Sequence, residues 1–112
     1  PELVSRISRV LEAMTALGFP MKPIQGFRTV AQQQALYAQG RTARGSIVTN
    51  CDGVLKRSNH QSGRAIDCAF VGNEPFGEQQ PWAAYGACVE AVGLKWGGHF
   101  KTLVDRPHAE LA

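Results

Sequence analysis

Residues 58–70 read SNHQSGRAIDCAF, a polar segment that passes directly into an apolar one. The apolar half predicts a strand over residues 65–71, because its side chains alternate between two faces. One face is apolar and belongs in a core, formed by Ile66, Cys68 and Phe70. The other face carries Asp67 between two alanines, which leaves open space above the carboxylate. The polar half predicts a loop, in which Gly63 lets the chain fold back over the strand.

The flanking sequence predicts three helices. Apolar residues at three- and four-residue intervals indicate a first helix from Leu3 to Leu17. A capping box formed by Thr29 and Gln32 opens a second helix over residues 30–39. Pro81 fits the first turn of a third helix, which runs to about residue 92 and has one apolar face.

Three further strands complete the predicted fold, at Ile24–Phe27, Leu94–Trp96 and His108–Leu111, with a turn at Gly97-Gly98 between the last two. Long loops are expected over residues 41–62 and 72–80. The alternation of helices and strands could suggest a parallel sheet, but the connections are irregular in length and the last two strands are close in sequence. We therefore predict an α+β fold, with a small antiparallel or mixed sheet flanked by about three helices in a single domain spanning residues 1–112.

Composition narrows the class of protein. With 44% hydrophobic and 19% charged residues, the 112-residue chain is an ordinary globular domain that can bury a core without a structural metal. The net charge of +3 comes from scattered cations and no nucleic-acid motif accompanies them, so nucleic-acid binding is not expected. No apolar run reaches the roughly 20 residues of a membrane span, and no signal-peptide pattern precedes Leu3. The three cysteines lack paired spacing, and we expect Cys68 and Cys88 to be buried as small hydrophobic residues.

Two segments carry groups that could bind a metal. His60 lies in the loop that feeds the 65–71 strand, so its side chain can reach Asp67. Near the end of the chain, polyproline geometry around Pro107 would point Asp105 and His108 to the same side. Two histidines and a carboxylate with one open position form the usual protein shell of a catalytic zinc, and a second carboxylate supplies a general base.

Other interpretations of these residues remain open at this point. A histidine or an aspartate in a small protein is commonly a surface or hydrogen-bonded group. Asp105 could bind the metal in place of Asp67, and Cys51 is a weaker rival ligand in the same loop as His60.

The motifs resemble those of a known family. Ser58 to Asp67 resembles the Ser-x-His-x-x-Gly-x-Ala-x-Asp signature of the zinc D-alanyl-D-alanine peptidase superfamily, and Asp105 to His108 resembles its closing acid-x-x-His. Arg28 and the helix after it are similar to the arginine-bearing turn and helix of those enzymes. Within the superfamily, the Trp-Gly-Gly of residues 96–98 and the Asp-x-Pro-His of residues 105–108 resemble the L-alanyl-D-glutamate endopeptidases of phage endolysins.

The resemblance implies a role for each matching residue. It makes zinc the cofactor, with His60, Asp67 and His108 as its ligands and Asp105 as the general base. Arg28 would stabilise the negative charge that develops on the carbonyl oxygen, and Ser58 would contact substrate or the metal shell. His99 departs from the family, in which this position is often acidic, and it could contact substrate or lie at the rim of the site. With His99, the candidate site residues are seven, Arg28, Ser58, His60, Asp67, His99, Asp105 and His108.

The implied activity is hydrolysis of the peptidoglycan stem peptide, between L-alanine and D-glutamate. The alternatives are a D-alanyl-D-alanine carboxypeptidase or dipeptidase, and an inactive relative that binds wall peptide. We expect a monomer that acts on the bacterial cell wall, on the periplasmic or extracellular side, by an export route that the sequence does not reveal.

Overall fold

A computed structural model describes residues 2–26, 28–54 and 58–112. In these residues three helices accompany one four-stranded sheet of order β1-β2-β4-β3, in which every neighbouring pair is antiparallel. The elements are α1 Glu2–Ala16, β1 Met21–Gln25, α2 Val30–Ala38, β2 Ala65–Phe70, α3 Trp82–Ala91, β3 Leu94–Trp96 and β4 His108–Leu111. The predicted α+β class is confirmed, and the parallel alternative is wrong.

Strand β1 differs from the prediction, which placed it at residues 24–27. It begins at Met21, directly after Pro20, and Met21 pairs with Phe70 of β2. Pro23 lies within the strand, and an edge strand tolerates proline because one side of its backbone has no partner strand. Of the other two predicted residues, Gly26 follows the end of the strand and Phe27 lies outside the described residues.

The hydrophobic core lies between the sheet and two of the helices. α1 packs on α3 and on β1, and α3 also packs on β3. The largest fully buried apolar side chains come from α1, α3 and β2, namely Val10, Met14, Tyr85, Val89 and Cys68. Gly86 lets α3 approach the ring of Trp96, since a Cβ at this position would lie 2.3 Å from the ring. As predicted, Cys68 is buried and Cys88 packs against the core, and all three cysteines are free.

The centre of the sheet separates this core from a polar face. Asp67 on β2 lies directly opposite His108 on β4, so both side chains emerge on the same face. Their sequence neighbours Cys68 and Ala109 point the other way and are fully buried in the core. The register between β2 and β4 therefore brings together two polar residues that are 41 positions apart in the chain (108 − 67).

Two connections depart from what the sequence suggested. The Gly-Gly segment after β3 forms a short 3₁₀ helix, Gly97–His99, instead of a simple turn. Residues 105–108 form a turn closed by a hydrogen bond from the His108 amide to the Asp105 carbonyl, 3.2 Å long, so the predicted polyproline geometry is wrong. The predicted consequence still holds, because Asp105 and His108 face the same side.

Candidate metal centre and active site

Three potential metal ligands converge on the polar face of the sheet. Asp67 Oδ1 lies 3.4 Å from His60 Nε2 and 3.3 Å from His108 Nδ1. The two ring nitrogens are 3.2 Å apart. Among the described residues, this is the one group of three or more histidine, cysteine or acidic side chains with the spacing of a metal site. Cys51, the predicted rival ligand, is not part of it.

The position of His60 is set by the tight turn that leads into β2. Gly63 has a φ of +70°, and the Arg64 amide donates to the Asn59 carbonyl at 2.8 Å, which folds the loop over the strand as predicted. The Ser58 hydroxyl accepts from the His60 amide at 3.2 Å. On the ring, Nδ1 lies 2.8 Å from the carbonyl oxygen of Gly26. His60 is buried, and contacts at its backbone amide and at its ring nitrogen Nδ1 fix its orientation.

The hydrogen-bond partners determine the tautomers of both histidines. A carbonyl oxygen only accepts, so His60 carries its proton on Nδ1 and presents a lone pair at Nε2. His108 Nε2 lies 2.7 Å from the Glu110 carboxylate, so neutral His108 carries its proton there and presents a lone pair at Nδ1. Three acceptor atoms then face one another. Asp67 Oδ1, although buried, has no hydrogen-bond donor among the described residues.

Such a cluster requires a positive charge. Burial alone would raise the pKa of Asp67, but its contacts with His108 and His60 outweigh this and hold the pKa well below its usual range. Burial would lower the pKa of His108, yet the contacts with Asp67 and Glu110 raise it. A proton can supply the charge only by occupying one of the three acceptors. A metal cation satisfies all three together, and the donor set of two imidazoles and one carboxylate fits zinc.

A fourth group, Asp105, stands next to this cluster. Its Oδ2 is 3.8 Å from His108 Nδ1, and its side chain is half-buried. Partial burial and the negative charge of Asp67 raise the pKa of Asp105 above its ordinary value. Its amide donates to the Gly97 carbonyl at 2.9 Å, and this approach needs glycine because a Cβ at Gly97 would lie 2.1 Å from the Asp105 carbonyl oxygen.

The turn that carries Asp105 and His108 is held from beneath by the core. The Pro107 carbonyl accepts from the Tyr85 hydroxyl at 2.9 Å and from the Cys68 amide at 3.0 Å. The indole of Trp96 donates to the Arg106 carbonyl at 2.7 Å. The aromatic residues of α3 and β3 therefore fix the backbone of this turn.

Arg28 is buried beside the three potential ligands. Its Nη1 donates to Gln33 Oε1 at 2.6 Å and its Nη2 to Gln25 Oε1 at 3.2 Å, while Nη2 is 4.0 Å from Asp67 Oδ2. Nε is buried and has no acceptor among the described residues. Burial lowers the pKa of Arg28 despite the nearby carboxylate of Asp67, but a guanidinium stays charged. The structure thus provides a fixed positive charge at the edge of the cluster.

These residues open into a cavity of about 450 Å³. Its lining includes Arg28, Ser58 and Asp105, together with the three potential ligands. The structure therefore brings together six of the seven residues singled out from the sequence. The seventh, His99, does not line this cavity: its side chain is 65% exposed, lies 2.9 Å from Glu90 Oε2 and packs edge-on against Trp96.

The sequence interpretation missed three residues that support the site, Gln33, Tyr85 and Glu110. Gln33 is fully buried on α2, where it accepts from Arg28 and donates to Thr49 Oγ1 and to the Cys51 carbonyl. The local sequence does not distinguish Gln33 as a supporting residue of the site, since glutamines occupy both neighbouring positions. Glu110 follows His108 at the i+2 spacing that shares a strand face, which is a signal that could have identified it.

Two histidines, a carboxylate and a second carboxylate in a cleft are typical of metal-dependent hydrolases. The sequence model of the D-alanyl-D-alanine carboxypeptidase family matches residues 52–111, more than half of the chain. The peptidoglycan L-alanyl-D-glutamate endopeptidase CwlK of Bacillus subtilis (strain 168) is 32% identical over 123 residues, an alignment that spans 97% of this chain and 71% of CwlK. The chain therefore belongs to the D-alanyl-D-alanine carboxypeptidase family of peptidases, as its motifs predicted.

Solved structures agree with this assignment. The L-Ala D-Glu endopeptidase ChiX of Serratia marcescens has a TM-score of 0.70 and 25% identity, covering 100% of this chain and 79% of ChiX. A Zn(II) complex of the vancomycin-resistance D,D-pentapeptidase VanY has a TM-score of 0.67 and 15% identity, covering 96% of this chain and 69% of VanY, and shares the fold. No helix among the described residues is long and apolar enough to cross a membrane.

We expect Gln33→Leu to destabilise the protein, because it leaves the buried Arg28 Nη1 and the Cys51 carbonyl without partners. Loss of these hydrogen bonds should lower the free energy of unfolding by about 2–3 kcal/mol. Urea unfolding measures this change, and the matched control is Gln34→Leu at the exposed neighbouring position, which should change stability by about 0.5 kcal/mol or less. Equal stability of the two variants would show that the Gln33 contacts contribute little.

Proposed function

We propose that this peptidoglycan peptidase is a zinc-dependent endopeptidase that hydrolyses the L-alanyl-D-glutamate bond of the stem peptide. The observation that carries the proposal is the convergence of His60 Nε2, Asp67 Oδ1 and His108 Nδ1, three acceptors within 4.8 Å of one another with Asp105 beside them. The choice of bond is supported by CwlK and ChiX, which are both L-alanyl-D-glutamate endopeptidases.

In this proposal each protein group has a separate task. His60, Asp67 and His108 hold the zinc ion. Once bound, zinc supplies the Lewis acidity that activates a water molecule and polarises the scissile carbonyl. Asp105 accepts the proton that the water loses as it attacks the carbonyl carbon, and it returns this proton to the departing amine when the C–N bond breaks.

Arg28 is assigned to the carbonyl oxygen. It lines the cavity, is charged, and is oriented by two glutamine side chains, so it is preorganised before substrate arrives. Negative charge grows on the carbonyl oxygen during attack, and a fixed guanidinium stabilises this charge without reorganisation. Ser58 also lines the cavity and is assigned to substrate binding. His99 receives no role, since it lies outside the cavity lining.

The alternative activities fit less well. Removal of terminal D-alanine is the activity implied by the family description and by VanY, but VanY is only 15% identical to this chain. An inactive wall-peptide-binding protein would not need a complete set of ligands, base and arginine around one cavity. We further propose that the enzyme works as a monomer and meets its substrate on the outer side of the cytoplasmic membrane, where peptidoglycan lies.

Digestion of purified peptidoglycan tests the choice of bond. We expect mass spectrometry of the products to show new amino termini at D-glutamate and new carboxyl termini at L-alanine. The matched control is the His60→Ala protein, which should release neither product. Release of free D-alanine without these termini would instead establish the carboxypeptidase alternative.

We expect one zinc ion per chain, and His60→Ala should reduce the bound zinc well below one equivalent. Elemental analysis after dialysis against dilute zinc measures this loss. The control is His99→Ala, which removes the exposed histidine and should leave the zinc content unchanged. Full zinc content in His60→Ala would refute the ligand assignment. Because the core does not involve the ligands, chelation should leave circular dichroism largely unchanged while lowering stability.

Asp105→Asn should abolish most turnover while zinc content and folding stay normal. The amide retains the size of the side chain but removes the basic oxygen, so kcat should fall by about 10²–10⁴-fold. Asp105→Glu restores the carboxylate in a displaced position and should retain more activity than Asn. Measuring zinc content beside kcat separates the possible roles: loss of zinc would make Asp105 a ligand, and near-normal kcat in Asp105→Asn would refute the base role.

A further inference from the structure

Glu110 lines the same cavity as the three potential ligands and contacts His108 at the ring nitrogen Nε2. The two residues lie two positions apart on β4 and therefore share a face of the strand. The Glu110 side chain is 13% exposed, and both of its oxygens are engaged. Oε1 is 2.7 Å from His108 Nε2, and Oε2 accepts from Asn59 Nδ2 at 2.9 Å. A partly buried carboxylate with both oxygens occupied by nitrogen donors has a defined orientation.

We propose that Glu110 is a positioning residue that keeps His108 in its metal-binding tautomer and ties together the two segments that supply the histidine ligands. This inference rests on the proposed zinc site and extends it to a residue outside the ligand set. Glu110 does not face the converging acceptor atoms itself, because its oxygens contact His108 Nε2 and Asn59, on the far side of the imidazole from Nδ1.

The tautomer argument follows from the two nitrogens of His108. Nδ1 is the nitrogen that faces Asp67 and His60, so it must present a lone pair to bind a metal. In the other neutral tautomer the proton would occupy Nδ1 and block it, while the Nε2 lone pair would face a carboxylate oxygen at 2.7 Å. The repulsion between that lone pair and the carboxylate disfavours the blocking tautomer. An acceptor at Nε2 also increases the basicity of Nδ1 as a ligand.

Asn59 connects Glu110 to the other potential histidine ligand, His60. It immediately precedes His60, and its amide donates to Glu110, a residue 51 positions away in the sequence. Its backbone carbonyl also accepts from the Arg64 amide, which closes the turn that presents His60. Glu110 therefore connects the His60 turn to strand β4. Displacement of either segment would stretch one of the two hydrogen bonds to this carboxylate.

Zinc titration against a competing chelator, at one fixed pH, tests the proposal. Glu110→Ala should weaken zinc binding by about 10- to 100-fold, the usual effect of removing the hydrogen-bond partner of a ligating histidine. Glu110→Gln should recover a large part of the affinity, because its amide oxygen can still accept from Nε2. The matched control is Glu90→Ala, which removes the carboxylate partner of the exposed His99 and should leave zinc affinity unchanged.

A second measurement separates tautomer control from simple packing. In ¹⁵N spectra of the imidazole rings, the unsubstituted protein should show His108 protonated at Nε2 and unprotonated at Nδ1 when zinc is bound. Glu110→Ala should show a mixture of tautomers in the metal-free protein, and Glu110→Gln should show much less. Retention of a single Nε2–H tautomer in Glu110→Ala, with zinc affinity within twofold of the unsubstituted protein, would overturn the inference.

If Glu110→Ala does not fold by circular dichroism, Asn59→Ala decides, and unchanged zinc affinity in that variant would overturn the proposal. Weakened binding in Asn59→Ala, whose backbone hydrogen bond is retained, would support it. Failure of the unsubstituted protein to bind zinc would refute the proposed function, whereas normal binding with no effect of Glu110→Ala would refute only this inference.

Discussion

Three electron-pair donors face one another on the polar face of the sheet, and among the described residues no proton donor lies between them. Bringing a carboxylate oxygen and two imidazole nitrogens to 3.2–3.4 Å is unfavourable unless a positive charge compensates. The rest of the structure supplies the constraints that maintain this arrangement. The register between β2 and β4 sets Asp67 opposite His108, and the turn before β2 returns His60 over the strand. These constraints are strand pairing and hydrogen bonds within the protein, and they hold the three acceptors close together.

The two faces of this sheet differ in role, since one packs in the core and the other carries the polar cluster. On its core face, residues such as Cys68 and Ala109 belong to the buried core, while their neighbours Asp67 and His108 are the potential ligands. Tyr85 connects the two faces, because its ring lies in the core and its hydroxyl donates to the Pro107 carbonyl. The turn between Asp105 and His108 is therefore anchored to the core. Such anchoring would serve the base role proposed for Asp105, since displacement by about 1 Å can cost about 10²-fold in rate.

The sequence predicted most of the fold and the polar cluster, for identifiable reasons. The alternation around Asp67, the capping box at Thr29 and the helical spacing of the first helix are local patterns, and local patterns reveal secondary structure. The predicted start of β1 is wrong because proline is usually excluded from strands. The edge position that tolerates Pro23 is known only from the structure. Gln33 and Tyr85 could not be predicted as supports, since their roles depend on partners that only the tertiary structure brings near. The roles proposed for Arg28, Ser58 and Asp105 still rest on placement and resemblance.

Many of the contacts that fix the site end on backbone carbonyls. His60 binds the Gly26 carbonyl, Trp96 the Arg106 carbonyl, and Tyr85 the Pro107 carbonyl. A carbonyl acceptor depends on the path of the chain and not on the side chain at that position, so the acceptor residues can vary as long as the path is kept. Glu110 and Asn59 differ in kind, because both partners in their contact are side chains. Substitution at either position should therefore affect the site more directly than substitution at an acceptor such as Arg106.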